Sequence, residues 1–324
     1  MRTWIRNAVL ALGVVTLETS GGIAQGQQAQ EIRYLSSADA TQQPAMFYAP
    51  ASDVAVPLVV ALHTWSGDYK QTSHKAIEAW CIEKGWAYIH PNFRGPNVRP
   101  EATGSEWVVK DIVSAVDYAK KTVNIDSNSV YLVGTSGGGY TALVMAGHHP
   151  SIWAGVSVWV PISDLSAWYQ ECKLAGRNYF RNVAASCGGA PGESTAIDQQ
   201  YRDRSPLTYL ANAKGVTLHL NAGIRDGHDG SVPISHSLLA FNEVASPQDR
   251  LSDGDIRYFV EKAQVPESLQ SPIVDPSYGA RKPLFRRTSG NATVTIFDGQ
   301  HELIPQAAID WFERIHANKD GKGH

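Results

Sequence analysis

The run VYLVGTSGGGYTALVMAGHHP, Val130 to Pro150, decides how this chain folds. A β-rich stretch, VYLVG, enters Gly134-Thr135-Ser136-Gly137-Gly138 and passes directly into a helical pattern. Gly-x-Ser-x-Gly between a strand and a helix is the sharp turn that exposes a serine hydroxyl at a sheet edge. The serine sits in a strained backbone, so its neighbours must be small. The helix N-terminus behind it offers backbone N–H groups to a developing negative oxygen. Ser136 is therefore the candidate nucleophile, and Gly137 a candidate backbone donor.

Reading outward, EIRYLSS and PAMFYAP form an opening antiparallel ribbon, and VPLVVALH is a near-continuous apolar strand of the kind buried in a parallel sheet. HKAIEAWCIEKG is a helix ending at Gly85, WAYIHPN the next strand, and EWVVKDIVSAVDYAKKTV a helix with Val108, Ile112, Val116 and Ala119 on one side. WAGVSVWVP and GVTLHLNAG continue the sheet, VPISHSLLAFNEVA is a helix, ATVTIFDG the last strand and IPQAAIDWFERIHANK the closing helix. Such alternation predicts an α/β fold: a mostly parallel central sheet with helices on both faces. Two stretches break the rhythm, a rim or lid insert over 163–205 and a second insert over 246–290 with one helix, DIRYFVEKA. The rest of 25–318 reads as a single domain, with 319–324 a flexible tail.

The chain has 324 residues and a formal charge of −3, with no long basic run, which argues against nucleic acid as a partner. Arg2 and Arg6 precede the apolar AVLALGVVTL, and small residues follow. This pattern predicts a secretory signal over 1–24, cleaved after Ala24, and a secreted or periplasmic location. The apolar run is short for a stable membrane span. Three cysteines follow the signal. Cys172 and Cys187 are a candidate disulfide inside a non-periodic stretch, and Cys81 reads as a buried thiol. Their spacing is not that of a zinc site, and neither metal nor cofactor is expected.

A serine hydroxyl needs a base, and the base needs an orienting carboxylate. In the chain order Ser, acid, His, His301 follows the last strand in TIFDGQHEL and is the candidate base. For the acid, LNAGIRDGHDGSVP offers Asp226, close to the strand end and followed by Gly227, and Asp229 as the alternative; Asp164 is a third. A second oxyanion donor is expected from HTWSGD, with the backbone of Trp65 the candidate.

Together these motifs resemble the catalytic domain of the prolyl-oligopeptidase-like serine hydrolases, a branch of the α/β-hydrolase superfamily. The resemblance runs from about Pro57 to Ala317. It rests on LVVALH with TWSGD, on Asn92, Arg94 and Gly95 of HPNFRG, and on the serine turn. It implies catalytic roles for Ser136 and His301. The acid loop departs from the family pattern, because Gly223-x-x-Asp226 and Asp229-x-x-Val232-Pro233 are satisfied by different aspartates. The usual His-Gly of the oxyanion loop is His63-Thr64, which predicts an altered loop shape.

With no room for a β-propeller ahead of Pro57, no motif for clamping a peptide amino terminus, and Trp65, Trp107, Trp159, Trp168 and Tyr169 near the rim, the expected activity is hydrolysis of carboxylic esters. Trp159 and Trp168 are the candidate substrate contacts, and acetyl esters of carbohydrates the leading substrate class. The alternative is an aminopeptidase or oligopeptidase of the same family. Oligomeric state is left open by the sequence.

Overall fold

The computed structural model describes residues 28–320. The expected signal segment, 1–24, and the last four residues lie outside that range. Its centre is a nine-stranded sheet in the order β1-β2-β4-β3-β5-β6-β7-β9-β8. The strands are β1 Gln30–Leu35, β2 Gln42–Tyr48, β3 Val56–Leu62, β4 Ala87–Pro91, β5 Ile125–Thr135, β6 Gly155–Trp159, β7 Leu218–Gly223, β8 Pro283–Ser289 and β9 Ala292–Phe297. From β4 through β9 the central neighbours pair in parallel, whereas the pairs β1–β2 and β2–β4 at one end and β8–β9 at the other are antiparallel. Every residue of β3, β4, β6 and β7 is buried, which is why these strands read as unbroken apolar runs rather than alternating ones.

The helices are α1 Lys75–Lys84, α2 Glu106–Thr122, α3 Gly137–His148, α4 Leu165–Leu174, α5 Tyr179–Cys187, α6 Thr195–Arg204, α7 Ser235–Val244, α8 Asp253–Lys262 and α9 Pro305–Asp320. Their ends follow local chemistry. The hydroxyl of Ser105 accepts from Val108 N–H to start α2, and α1 stops at Gly85 with φ 68°. Helix α9 runs through Lys319 into the stretch expected as tail.

Both inserts hold elements that the sequence did not mark. Residues 163–205 form three short helices, α4 to α6. Asp164 caps α4 through Ser166 N–H and Ala167 N–H, and Ser194 caps α6. The glycines between them, Gly176, Gly188 and Gly192, sit at positive φ and separate helices too short to carry a clear period. The end of the second insert is β8, the edge strand of the sheet. Ser289 pairs with Ala292 across Gly290-Asn291, a two-residue hairpin signal that Arg286 and Arg287 obscured by interrupting the apolar alternation. The candidate Cys172–Cys187 bond is not formed: both are buried free thiols, on α4 and α5, which pack against each other, and Cys81 is a buried free thiol on α1.

The Asn-x-Arg-Gly stretch is a clasp between the opening hairpin and α2. Arg94 sits at φ 77°, and its guanidinium binds Asp111 at 2.7 Å and Asp39 at 2.7 Å while lying 4.8 Å from the Trp107 ring centre. No helix among the described residues is long and apolar enough to cross a membrane.

Candidate active site

Four loops meet at the carboxyl ends of the central parallel strands, the edge where ligand sites of open α/β sheets collect. Strand β5 is followed by Ser136, at φ 58° and ψ −119°, a conformation rarely held outside functional turns. The backbone around it leaves no room for side chains: a Cβ on Gly138 would come within 2.1 Å of the Leu62 carbonyl. Ser136 N–H donates to the Trp159 carbonyl at 2.8 Å, and its own carbonyl accepts from Tyr140 N–H as α3 begins.

His301 reaches this turn from the loop after β9. Its Nε2 lies 2.8 Å from Ser136 Oγ, and its Nδ1 lies 2.7 Å from Asp226 Oδ2. Asp226 is supplied by the loop after β7 and is buried. Its other oxygen accepts from Gly227 N–H at 3.0 Å and Val232 N–H at 3.1 Å. Gly230 lies over this pair: a Cβ there would meet Asp226 Oδ1 at 2.1 Å and His301 Cβ at 2.8 Å. Asp229, the alternative acid, is half exposed and faces Arg225 at 3.4 Å and Gln300 at 3.2 Å, not His301. Asp164 caps α4.

Trp65, on the loop after β3, abuts the serine turn through its backbone. A Cβ on Gly137 would come within 2.3 Å of Trp65 N. The N–H groups of Trp65 and Gly137 are free of acceptors among the described residues. They form a pair of neighbouring donors at the serine turn. The Trp65 carbonyl is held by Asn97 N–H at 2.8 Å, and its ring packs edge-on against Trp168.

The two tryptophans expected to meet substrate do not face the cleft. Trp159 is fully buried; its indole donates to Ser157 at 2.9 Å and packs among His219, Tyr278 and Phe297. As the last residue of a central strand, it points into the core, and only its carbonyl touches the serine turn. Trp168 is buried beneath the rim, donating to the Ser231 carbonyl at 3.0 Å and stacking on Tyr179 at 5.3 Å. Trp107 lies on Arg94, and Tyr169 packs against Phe180 and Tyr201. The aromatic ring that does line the cleft alongside Trp65 is Tyr179, at the start of α5. It was not singled out from sequence because its helix was not recognised.

The cleft over Ser136 has a volume of about 400 Å³. Its wall is polar at Thr64, Ser66, Ser73 and Ser231, apolar at Tyr179 and Leu303, and carries one carboxylate, Glu302. Glu302 accepts from Gln300 N–H at 3.1 Å and pairs with Arg281 at 3.0 Å. Around the site several histidines are held neutral by burial: His74, whose Nε2 lies 3.5 Å from Thr135 Oγ1, is pushed down to about 4, and His63 is also lowered. Among the described residues no group of three or more His, Cys, Asp and Glu side chains is arranged to hold a metal ion.

Comparison with known proteins places this geometry among relatives. Over 167 residues the chain is 28% identical to dipeptidyl aminopeptidase BIII of Pseudoxanthomonas mexicana, covering 48% of this chain and 24% of that protein. Over 213 residues it is 23% identical to acylamino-acid-releasing enzyme 1 of Oryza sativa subsp. japonica, covering 62% of this chain and 27% of that one. The chain thus spans about a quarter of the length of these curated relatives. Among solved structures, puromycin hydrolase superposes with a TM-score of 0.59 at 16% identity, over 90% of this chain and 39% of its own, a likeness of fold. The prolyl oligopeptidase family matches residues 71–258, more than half of the chain and a span that holds both Ser136 and Asp226. This chain belongs to the prolyl oligopeptidase family.

Proposed function

We propose that this protein is a serine peptidase that cleaves short peptides through an acyl-enzyme, with Ser136, His301 and Asp226 as its triad. The observation that carries the reading is the unbroken chain of hydrogen-bond distances, 2.8 Å from Ser136 to His301 and 2.7 Å from His301 to Asp226. Asp226 accepts from Nδ1–H, which leaves the Nε2 lone pair facing the hydroxyl. As Ser136 Oγ attacks the scissile carbonyl carbon, Nε2 takes its proton. The carbonyl oxygen becomes an oxyanion between Gly137 N–H and Trp65 N–H. Collapse of the tetrahedral adduct breaks the C–N bond, and the imidazolium returns its proton to the leaving amine. Water, deprotonated by the same imidazole, then releases the acid and restores Ser136.

Peptides rather than esters are favoured by the family and by relatives named as a dipeptidyl aminopeptidase and an acylamino-acid-releasing enzyme. The expectation of a carbohydrate esterase leaned on an aromatic rim, and Trp159 and Trp168 offer no exposed face on which a sugar would stack. The deciding experiment measures kcat/KM on unblocked dipeptide anilides, N-acylated amino-acid anilides, aryl acetates and acetylated oligosaccharides. Turnover of one anilide class is expected. Deacetylation of oligosaccharides with every anilide untouched would overturn the peptidase reading. Export from the cytoplasm remains part of the proposal and rests on the basic-then-apolar pattern of residues 1–24.

A further inference from the structure

The oxyanion loop carries threonine where its relatives' pattern has glycine, and one side chain sets its shape. Thr64 stays out of the positive-φ region. Gln71 holds it at two points: Oε1 accepts from Thr64 N–H at 2.8 Å, and Nε2 donates to Thr64 Oγ1 at 2.8 Å. The Thr64 carbonyl accepts from Gly67 N–H at 3.1 Å and lies 2.9 Å from His63 Nδ1. In a trans peptide the C=O and the following N–H point in opposite directions. Pinning the carbonyl of Thr64 therefore fixes the direction of Trp65 N–H, whose nitrogen abuts Gly137. Gly67 keeps the space for this arrangement, since a Cβ there would meet Gln71 Oε1 at 2.4 Å.

We propose that Gln71 is a positioning residue for the oxyanion hole: its amide, bonded at both ends to Thr64, fixes that residue's N–H and side chain, so that with the Thr64 carbonyl held by Gly67 N–H the Trp65 N–H is aimed beside Gly137 N–H. The inference rests on the reading of those two groups as the oxyanion donors. A donor aimed in advance at the developing charge stabilises the transition state and not the ground state. Loss of the clamp therefore lowers kcat and spares KM.

The test uses the full chain and the best anilide substrate from the panel above. Gln71→Ala is expected to lower kcat on the order of ten- to a hundredfold, less than the 10²–10³ that follows outright removal of a donor, with KM within about twofold. Binding of a peptidyl trifluoromethyl ketone, whose hemiketal oxyanion sits where the substrate's does, should weaken by a similar factor. Gln71→Glu should recover most of kcat, because a carboxylate accepts from both Thr64 N–H and Thr64 O–H. Gly67→Ala, which displaces only the flexible end of Gln71, should reproduce Gln71→Ala even if the latter folds poorly. A wild-type kcat in both Gln71→Ala and Gly67→Ala, or a loss confined to KM, would overturn the proposal. Ser136→Ala separates the two readings. If it is inactive while Gln71→Ala is unimpaired, only the clamp is wrong; if it keeps its activity, the triad itself is wrong.

Discussion

Trp168 donates its indole N–H to the carbonyl of Ser231 across 3.0 Å, and so fastens the rim helix α4 to the loop that carries Asp226. A second strut runs parallel to it. His236, buried at the start of α7, accepts from Ser163 N–H at 3.1 Å through Nδ1 and reaches Glu171 at 2.9 Å through Nε2. The rim and the acid loop thus form one mechanical unit. Trp168→Phe keeps an aromatic ring but removes the bond and part of the buried indole, so stability should fall by about 2 kcal/mol or more, with kcat down several-fold. Urea unfolding and steady-state kinetics on the same preparation check this. An unaltered kcat beside a lowered midpoint would mean that the bond holds the rim alone.

Asp226 and Asp229 make a matched comparison because both lie in one loop and only one faces His301. Asp226→Asn should reduce kcat on the order of 10⁴-fold, the scale set by the corresponding change in a well-studied protease. Asp229→Asn should remain within about twofold of wild type, since it loses only exposed contacts to Arg225 and Gln300. Anilide turnover by the two variants decides the matter, and the reverse ranking would reassign the acid.

The buried histidines predict acid lability. Burial pushes His219 down to about 3 and His74 to about 4, with Arg286 and Arg314 adding to the effect at His219 and His63 at His74. In the unfolded chain both titrate near 6.5. The unfolded state therefore takes up protons first, and stability is whole above about pH 6.5 and declines as pH falls toward the folded values. At pH 5 each histidine should account for about 2 kcal/mol of that loss. His219→Gln, titrating nothing, should be less stable at pH 7.5 yet show a shallower decline of the urea midpoint between pH 7.5 and 5. Equal declines in variant and wild type would sink the assignment.

Arg94 is buried with Asp111, and Ser36 completes the cluster. Arg94→Ala leaves a carboxylate in the core without its partner and should cost about 3–5 kcal/mol. The double change Arg94→Met with Asp111→Leu should recover part of that loss, because it removes the buried pair and leaves only Asp39, at the partly exposed end of the cluster, without its partner. Calorimetric midpoints of the single and double variants test it.

The parts of the fold that were legible in sequence are those where one physical signal dominates. Unbroken apolar strands such as VPLVVALH and WAGVSVWVP could only be buried on both faces. Gly134-Thr135-Ser136-Gly137-Gly138 could only be a crowded turn between strand and helix. The structure brings Ser136, His301 and Asp226 to one sheet edge because each follows a parallel strand, a placement readable from element order. What escaped reading depended on competing signals. Helices α4 to α6 are short and punctuated by glycine, so neither period nor length marked them. Strand β8 hides its alternation behind Arg286 and Arg287. Trp159 and Trp168 have the same composition whether they face a cleft or a core, and only tertiary packing distinguishes the two. The grip of Gln71 on Thr64 joins residues seven apart through side-chain atoms, and no propensity or pattern reports such a bond.

The acid loop shows how a chain absorbs extra length without disturbing its chemistry. Asp226 accepts from the N–H of Val232, so the six-residue step between them is closed by a single bond, and the added turn stands outside that closure with Asp229 at its exposed face. Asp229 there contacts Arg225 and Gln300 and not His301 itself. Gly230 is the opposite kind of position. It is the lid of the acid–base contact, where even a methyl group would wedge the two partners apart. Within five residues the same loop thus holds an exposed aspartate that stands away from His301 and a glycine that leaves no room for a methyl group.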